Sequence, residues 1–273
     1  MADDWTLAQQ FDSPFGTIAY DIFGTGDSLV MIHGTPFSSY VWRKFVPILA
    51  AAYRVHVYDL VGYGQSEKYD QQDVSLGVQS QALAALLDFW GIQNPTIIAH
   101  DFGGATTLRA HILNGRDYTR MILIDPVAVA PWGSPFVQHV RRHFEAFADV
   151  PPYIHDGILT AYIQDAAHHP LPETTLDAYK APWTGEVGQA AFYRQIAQMR
   201  QQYTDEIEPL YPAIRCPVHL LWGENDGWIP IAQGRKLHSL IPDATFEAIP
   251  EAGHLVQEDQ PNVLLKHLRH LTQ

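Results

Sequence analysis

Three residues that could carry out nucleophilic and acid–base chemistry occur in a fixed order along the chain: Asp101, Asp226 and His254. A carboxylate is ionised near pH 7, so the Asp101 side chain could attack an electrophilic sp³ carbon directly and form a covalent alkyl ester. A histidine oriented by a second carboxylate, here His254 by Asp226, could then deprotonate the water that hydrolyses this ester. These residue types therefore indicate a hydrolase that works in two steps.

Asp101 lies in a segment that predicts a sharp turn between a strand and a helix. An apolar run leads into it, and Gly103 and Gly104 follow it. In a nucleophile elbow the central residue has a strained backbone, so Ala99 and Gly103, two positions away on each side, must be small for strand and helix to approach. An aspartate in such a turn is more often a helix N-cap, but the two partner residues favour a nucleophile.

Short apolar segments alternate with amphipathic ones, which predicts an α/β fold with a sheet covered by helices on both faces. The predicted strands are 17–23, 28–33, 54–60, 96–100, 120–125, 217–223 and 245–250. The predicted helices outside the central region are 39–51, 76–90 and 262–271.

Between Pro126 and about Pro212 the strand pattern stops, and aromatic-rich helical segments broken by prolines replace it. We interpret this stretch as an insertion in the sheet domain. The predicted organisation is a core formed by residues 1–126 and 213–273 and a helical cap, or lid, formed by residues 127–212.

The sequence resembles the α/β-hydrolase fold family, and in particular its aspartate-nucleophile branch, which contains epoxide hydrolases and haloalkane dehalogenases. The segments that carry the resemblance are the elbow at Asp101, His33-Gly34-Thr35-Pro36, residues 59–66 (DLVGYGQS), Gly223-Glu224-Asn225-Asp226 and Gly253-His254. They cover nearly the whole chain in the family's order of nucleophile, acid and histidine. The resemblance implies an α/β-hydrolase fold, with a mostly parallel, doubly wound sheet and a helical cap inserted after the sixth strand.

The resemblance also implies a catalytic role for each residue of the triad. Asp101 is the expected nucleophile, Asp226 the acid and His254 the base, and no cofactor is required. Asp125 is a rival for the acid, because some branches of the family place the acid after the preceding strand. The motif around Asp226 matches the family better and favours that residue.

Thr35 and Phe102 correspond to the residues whose backbone N–H groups form the family's oxyanion hole. The side chains at these two positions help to predict the class of substrate. Haloalkane dehalogenases generally hold the leaving halide with a Trp directly after the nucleophile and often an Asn in the oxyanion motif. Phe102 and Thr35 stand at these positions, so a departing halide would be weakly stabilised.

Epoxide hydrolases instead use cap tyrosines to protonate the ring oxygen, because an epoxide keeps its leaving group attached. Phe-Tyr-Arg around Tyr193 resembles the family's second cap-tyrosine motif, and Tyr153 lies near the expected first position. Tyr162, Tyr179 and Tyr203 are alternatives. Epoxide opening is therefore the favoured activity, with Tyr153 and Tyr193 as the expected substrate-binding pair.

Three other functions stay open at this point. In a dehalogenase or another hydrolase with the same triad, cap side chains such as Trp132, Trp183 or His155 could stabilise the leaving group. A non-catalytic member of the fold could use the pocket only to bind a ligand. Asp101 could also act as a base in a lyase or in a cofactor-free reaction.

Composition limits the possible partners. Lys and Arg number 17 against 30 Asp and Glu, a net charge of −13, which disfavours nucleic acids and anionic membranes. Cys216 is the only cysteine, so a reducing, cytoplasmic location fits best. His139 and His143 have ligand-like spacing without an evident third ligand, so no metal is expected. We expect a monomer or homodimer that acts on a small apolar organic substrate.

Overall fold

The centre of the protein is one β-sheet. The computed structural model describes residues 5–272. Within them the strands are β1 Gln9–Ser13, β2 Gly16–Phe23, β3 Ser28–Ile32, β4 Arg54–Tyr58, β5 Thr96–His100, β6 Arg120–Ile124, β7 Val218–Gly223 and β8 Thr245–Ile249. Their order in the sheet is β1-β2-β4-β3-β5-β6-β7-β8. The pairs β1–β2 and β2–β4 are antiparallel, and the other neighbouring pairs are parallel.

The central strands are almost entirely apolar because both faces of the sheet are covered. Leu29 to Ile32 in β3 and Met121 to Ile124 in β6 are fully buried, as expected for parallel strands. The predicted α/β fold class with a mostly parallel sheet is confirmed. The predicted strands differ from the observed ones by at most two residues at either end.

β1 is the strand that the sequence pattern missed. Its residues, QQFDS, are polar except for Phe11 and largely exposed, and it pairs with β2 at the edge of the sheet. One apolar residue in five does not produce the alternation on which the prediction depended. With β1 included, β6 is the sixth strand.

Helices connect the strands. Residues 39–51, predicted as one helix, form a 3₁₀ helix (Ser39–Trp42) and a short α-helix, because Pro47 has no N–H to continue a helical hydrogen-bond ladder. The α-helices are α1 Val46–Leu49, α2 Leu76–Trp90, α3 Phe102–Asn114, α4 Pro135–Arg142, α5 Phe144–Ala148, α6 Pro152–Asp165, α7 Glu173–Lys180, α8 Gly185–Ala197, α9 Gln202–Asp205, α10 Ile231–Leu240, α11 Val256–Asp259 and α12 Pro261–Leu271.

The chain between β6 and β7, all of it described, forms helices and no strand. We call residues 127–212 the helical insertion. It is hydrogen-bonded to loops of the core: Trp183 Nε1 donates to the carbonyl oxygen of Pro36 at 2.6 Å, and the Val74 N–H donates to Gln198 Oε1 at 2.7 Å. The insertion therefore lies over the loop that follows β3.

We expect Gly103→Ala to destabilise the protein. A Cβ at this position would lie 2.5 Å from the carbonyl oxygen of Ile32 and 2.6 Å from that of His33, and backbone atoms of a central strand cannot easily move aside. The free energy of unfolding, measured by urea denaturation, should fall by about 1 to 3 kcal/mol.

Gly157→Ala is the matched control. Gly157 lies inside α6, and a Cβ there would have nothing within 4 Å, so this substitution should stabilise the helix by roughly 0.5 to 1 kcal/mol. Equal stability of Gly103→Ala and the wild type would contradict the close approach of α3 to β3.

Candidate active site

Polar residues follow the carboxyl ends of the parallel strands. They are Thr35 after β3, Asp101 after β5, Asp125 after β6, Asp226 after β7 and His254 after β8. In open α/β sheets this edge is where ligands bind. The topology of the sheet thus brings together residues that are far apart in the sequence.

Asp101 forms a sharp turn between β5 and α3. Its φ of 52° and ψ of −118° lie outside the regions that L-residues ordinarily occupy, and its side chain is buried. Four backbone hydrogen bonds hold this conformation: the Asp101 N–H donates to Ile124, and the Asp101 carbonyl oxygen accepts from Gly104, Ala105 and Val127. This is the geometry of a strained strand–turn–helix elbow.

The loop after β3 brings a backbone donor to the Asp101 carboxylate. The Thr35 N–H donates to Asp101 Oδ1 at 2.7 Å. Gly34 permits this contact, because a Cβ on Gly34 would lie 2.3 Å from the Asp101 Cβ. Phe102 is the first residue of α3, where N–H groups have no partner within the helix. Both expected oxyanion residues therefore adjoin Asp101.

His33 fixes the shape of the same loop. Its ring Nδ1–H donates to the Gly34 carbonyl oxygen at 2.9 Å, and its Nε2 accepts from the Leu60 N–H at 2.9 Å. Burial lowers the pKa of His33 more than the neighbouring Asp59 raises it. The ring is therefore neutral near pH 7. Its two hydrogen bonds connect the loop after β3 to the loop after β4.

Asp101, His254 and Asp226 form a continuous chain of contacts. His254 Nδ1 donates to Asp226 Oδ2 at 2.9 Å, and His254 Nε2 lies 3.4 Å from Asp101 Oδ2. Asp226 is itself oriented by the loop after β7, because its Oδ1 accepts from the N–H groups of Trp228 (2.7 Å) and Ile229 (2.9 Å). The arrangement fixes the imidazole with its Nε2 directed at Asp101.

The charges around His254 decide its protonation. Burial lowers the pKa of this fully buried ring, but the carboxylates of Asp226 and Asp101 together outweigh burial and raise the pKa well above its usual value. In the resting protein the ring is therefore an imidazolium near neutral pH. It becomes a base only when the pH exceeds this raised pKa or when one carboxylate loses its charge.

Asp125, the rival acid, does not hold His254. Its Oδ1 accepts from the Gly223 N–H at 2.8 Å, and its side chain is fully buried. Burial, and then the neighbouring Asp226 carboxylate, raise the pKa of Asp125 well above its usual value. The structure thus pairs the imidazole with Asp226 and not with Asp125.

The loop that carries the triad histidine is tied to the helical insertion through α11. Asp259 accepts from the N–H groups of His168 (2.8 Å) and His169 (2.9 Å). Glu258 accepts from the Tyr179 hydroxyl at 2.6 Å. Two neighbouring carboxylates therefore connect the helical insertion to the loop that carries His254.

A narrow cavity of about 40 Å³ opens over Asp101, which is room for only a few water molecules. Its walls come from the core and from the helical insertion. The residues around it are Thr35, Asp101, Phe102, Val127, Trp132, Gly133, Ser134, Val137, Tyr162, Met199, Trp228 and Ile229.

The structure does not bring Tyr153 to this cavity. Tyr153 is 74% exposed, whereas Tyr162 lines the cavity. Both belong to α6, and nine positions of an α-helix turn a side chain to the opposite face, so only one of them can face the core. The Tyr162 ring stacks on Trp228 at 4.4 Å, and Trp228 stacks on His254 at 5.1 Å.

Tyr193 is buried but is not among the residues that line the cavity. Its hydroxyl lies 3.0 Å from His155 Nδ1, and His155 Nε2 lies 2.9 Å from the Trp183 carbonyl oxygen. Trp132 Nε1 donates to Thr204 Oγ1 at 2.8 Å, and Trp183 Nε1 donates to a backbone oxygen. The cap donors proposed for a leaving group are thus already engaged within the protein.

Two further residues near Asp101 were not anticipated. Gln195 Oε1, from α8, accepts from Thr35 Oγ1 at 2.8 Å and from the Tyr63 hydroxyl at 3.0 Å. Tyr63 lies in the segment 59–66, which the sequence analysis singled out without assigning a role to Tyr63. Gln195 could not be predicted, because a single glutamine in an amphipathic helix belongs to no recognisable motif.

Comparison with known proteins decides the family. Residues 29–266 match the model of the "Alpha/beta hydrolase family". The chain belongs to the alpha/beta hydrolase family. A similar solved structure is an alpha/beta hydrolase fold protein from Burkholderia ambifaria, which is 49% identical, with 97% of each chain covered and a TM-score of 0.94.

Two curated relatives of this alpha/beta hydrolase have named activities. A haloalkane dehalogenase from Psychrobacter cryohalolentis is 27% identical over 259 residues, which are 89% of this chain and 82% of the relative. A cis-3-alkyl-4-alkyloxetan-2-one decarboxylase from Shewanella oneidensis is 24% identical over 275 residues, which are 90% of this chain and 82% of the relative.

Residues 5–272 contain no helix that is both long and apolar enough to cross a membrane. The described part of the chain also holds no group of three His, Cys, Asp or Glu side chains placed to bind a metal ion. The rings of His139 and His143 do lie close to each other, with centroids 4.7 Å apart.

We expect Asp226→Asn to lower the pKa of His254, because the substitution removes one of the two negative charges that stabilise the imidazolium. The pKa can be measured by NMR titration of the imidazole in the absence of substrate. Since the base form requires a neutral ring, the pH at which His254 becomes a base should fall with it.

Glu224→Gln is the control, since Glu224 is an exposed carboxylate in the same loop and its loss should leave the pKa of His254 unchanged. If Asp226→Asn and Glu224→Gln gave the same titration curve as the wild type, Asp226 would not be the charge partner of His254.

Proposed function

We propose that this protein is a hydrolase that opens an epoxide to a diol through a covalent ester on Asp101. The observation that carries the proposal is that Tyr162 lines the same cavity as Asp101, while no hydrogen bond within residues 5–272 engages its hydroxyl. An epoxide keeps its leaving oxygen attached, so opening needs a carboxylate on one side and a proton donor on the other.

In the first step Asp101 Oδ2 attacks a ring carbon, the carbon–oxygen bond breaks, and the ring oxygen takes the proton of the Tyr162 hydroxyl. Burial raises the pKa of Tyr162 well above its usual value, and the nearby Asp101 charge raises it further. The phenol is therefore protonated before the reaction. The product of this step is a hydroxyalkyl ester on Asp101.

Ester formation changes the state of His254. It removes the negative charge of Asp101, which is one of the charges that raise the pKa of His254, so the pKa falls once the ester exists. The proton that His254 then releases restores the phenol of Tyr162. Alkylation thus turns the resting imidazolium into the neutral imidazole that the second step requires.

In the second step His254 Nε2 deprotonates water, and the water oxygen attacks Cγ of Asp101. The Thr35 N–H, 2.7 Å from Oδ1, stabilises the negative charge that develops on Oδ1. The ester bond then breaks, and the diol leaves with the proton that His254 took from the water. The second proton of that water passes from the new Asp101 carboxyl group to His254, which restores the resting imidazolium. The carboxylate of Asp101 is regenerated, and no cofactor takes part.

The donors around the cavity favour an oxygen over a halide as the leaving group. The indole N–H groups of Trp132 and Trp183 are engaged by protein oxygens, whereas the phenol of Tyr162 is free to protonate an alkoxide. One curated relative is named a decarboxylase that acts on an oxetan-2-one. An oxetan-2-one is a strained ring that contains oxygen, as an epoxide is. Haloalkane dehalogenation is the second candidate because of the other relative.

The first test is intact-protein mass spectrometry of His254→Gln after incubation with small epoxides and, separately, with small haloalkanes. Without the base, the ester should accumulate, because glutamine cannot deprotonate water. We expect a mass increase equal to one whole epoxide, which peptide mapping assigns to Asp101.

The double variant His254→Gln, Asp101→Asn is the control and should remain unmodified. An adduct that has lost halogen, with none from epoxides, would assign dehalogenation instead. If neither panel gave an adduct, the nucleophilic role of Asp101 would be refuted, and binding without turnover would replace it.

We expect Tyr162→Phe to slow alkylation by an epoxide about 10²- to 10⁴-fold, the range of a general acid, and to leave hydrolysis of the formed ester nearly unchanged. Rapid quench followed by mass spectrometry separates the two rates. Tyr153→Phe, at an exposed position of the same helix, should not alter either rate. Equal alkylation rates in Tyr162→Phe and the wild type would remove Tyr162 from the mechanism.

A further inference from the structure

Asp125 is a buried titratable residue that the two-step mechanism does not use. It directly follows β6, its φ is 42°, and its side chain has no exposed surface. Its own N–H donates to the Leu221 carbonyl oxygen at 3.0 Å. The charge of a fully buried carboxyl group next to the triad depends on which groups surround its two oxygens.

The two oxygens of the Asp125 carboxyl group have different surroundings. Oδ1 accepts from the Gly223 N–H at 2.8 Å. Oδ2 is buried, and no donor within residues 5–272 reaches it. Gly223 places Asp226 beside Asp125, because its N–H donates to Asp125 Oδ1 and its carbonyl oxygen accepts from the Asp226 N–H at 3.2 Å. Two ionised carboxylates side by side in a buried site would repel each other.

The titratable groups that face Asp125 are Asp226 and His254. Asp226 already binds His254 and two backbone N–H groups, so the imidazolium is committed to Asp226 and Asp101. A charge on Asp125 would therefore be buried without a partner of its own, which is among the most unfavourable arrangements in a protein interior.

We propose that Asp125 is an uncharged carboxylic acid at neutral pH, that its O–H donates a hydrogen bond to the Asp226 carboxylate, and that it is thereby a positioning residue for the Asp226–His254 pair. Oδ1 stays unprotonated because it accepts from Gly223, so the proton resides on Oδ2. This places the proton at the oxygen that otherwise has no partner.

The hydrogen bond has a consequence for catalysis. A donor on Asp226 stabilises its ionised form and weakens its hold on the imidazolium proton. Asp125 would thus make it easier for His254 to become a base while it keeps Asp226 in place. This catalytic consequence rests on the proposed function of His254, whereas the position of the proton does not.

The first measurement is infrared spectroscopy of the protein with isotope-labelled aspartate at neutral pH. A protonated carboxyl group absorbs separately from carboxylates. We expect a protonated band in the wild type that is absent from Asp125→Asn and still present in Asp117→Asn, a control at an exposed aspartate. A wild-type spectrum without this band would overturn the proposal.

The second measurement is the NMR titration of His254. Asparagine at 125 keeps an acceptor for Gly223 and a donor for Asp226, so Asp125→Asn should leave the pKa of His254 unchanged. If Asp125 were ionised, the same substitution would remove a negative charge and lower the pKa of His254, which would refute the proposal.

Asp125→Leu removes the donor, so Asp226 should hold the proton more tightly and the pKa of His254 should rise. A purely structural role of Asp125 would not move the titration in this direction. If Asp125→Leu does not fold, Asp125→Asn and the infrared band still decide the question. The infrared and NMR measurements need no substrate. A failure of epoxide turnover would therefore refute the proposed function without affecting the test of the proton on Asp125.

Discussion

The structure depends on keeping three buried carboxyl groups, those of Asp101, Asp125 and Asp226, around one buried imidazole. All three are buried, and a buried charge is tolerated only when it is paired and hydrogen-bonded. Asp226 has two backbone N–H groups and His254, and Asp101 has the Thr35 N–H and faces the same ring. With Asp125 uncharged, two carboxylates are offset by one imidazolium and by backbone dipoles.

The backbone supplies most of this compensation, and that explains why the site needs the whole fold. The N–H groups that reach Asp101 and Asp226 come from loops after β3 and β7, which are brought together only by the parallel sheet. The strained elbow turns the Asp101 carboxylate towards those donors, and the small size of Gly34 lets the loop approach. The electrostatics of the site is thus a property of the strand order as much as of the side chains.

The sequence predicted those parts of the protein that leave a local signature. Apolar runs gave seven of the eight strands in residues 5–272, and the Gly-rich elbow located Asp101. The tyrosine could not be chosen in the same way, because Tyr153 and Tyr162 differ only in the face of α6 on which they lie, and that depends on tertiary contacts. Gln195 reaches Thr35 from a distant helix, and no spacing in the sequence encodes such a contact.

The small cavity over Asp101, about 40 Å³, limits what the site can admit. Pockets that bind organic ligands have volumes of roughly 300 to 1,000 Å³, so an organic substrate needs space that only a shift of the residues around the cavity can provide. Several of those residues belong to the helical insertion. Because Asp259 and Glu258 connect the insertion to the loop of the triad histidine, a shift that admits a substrate also acts on the loop that positions His254.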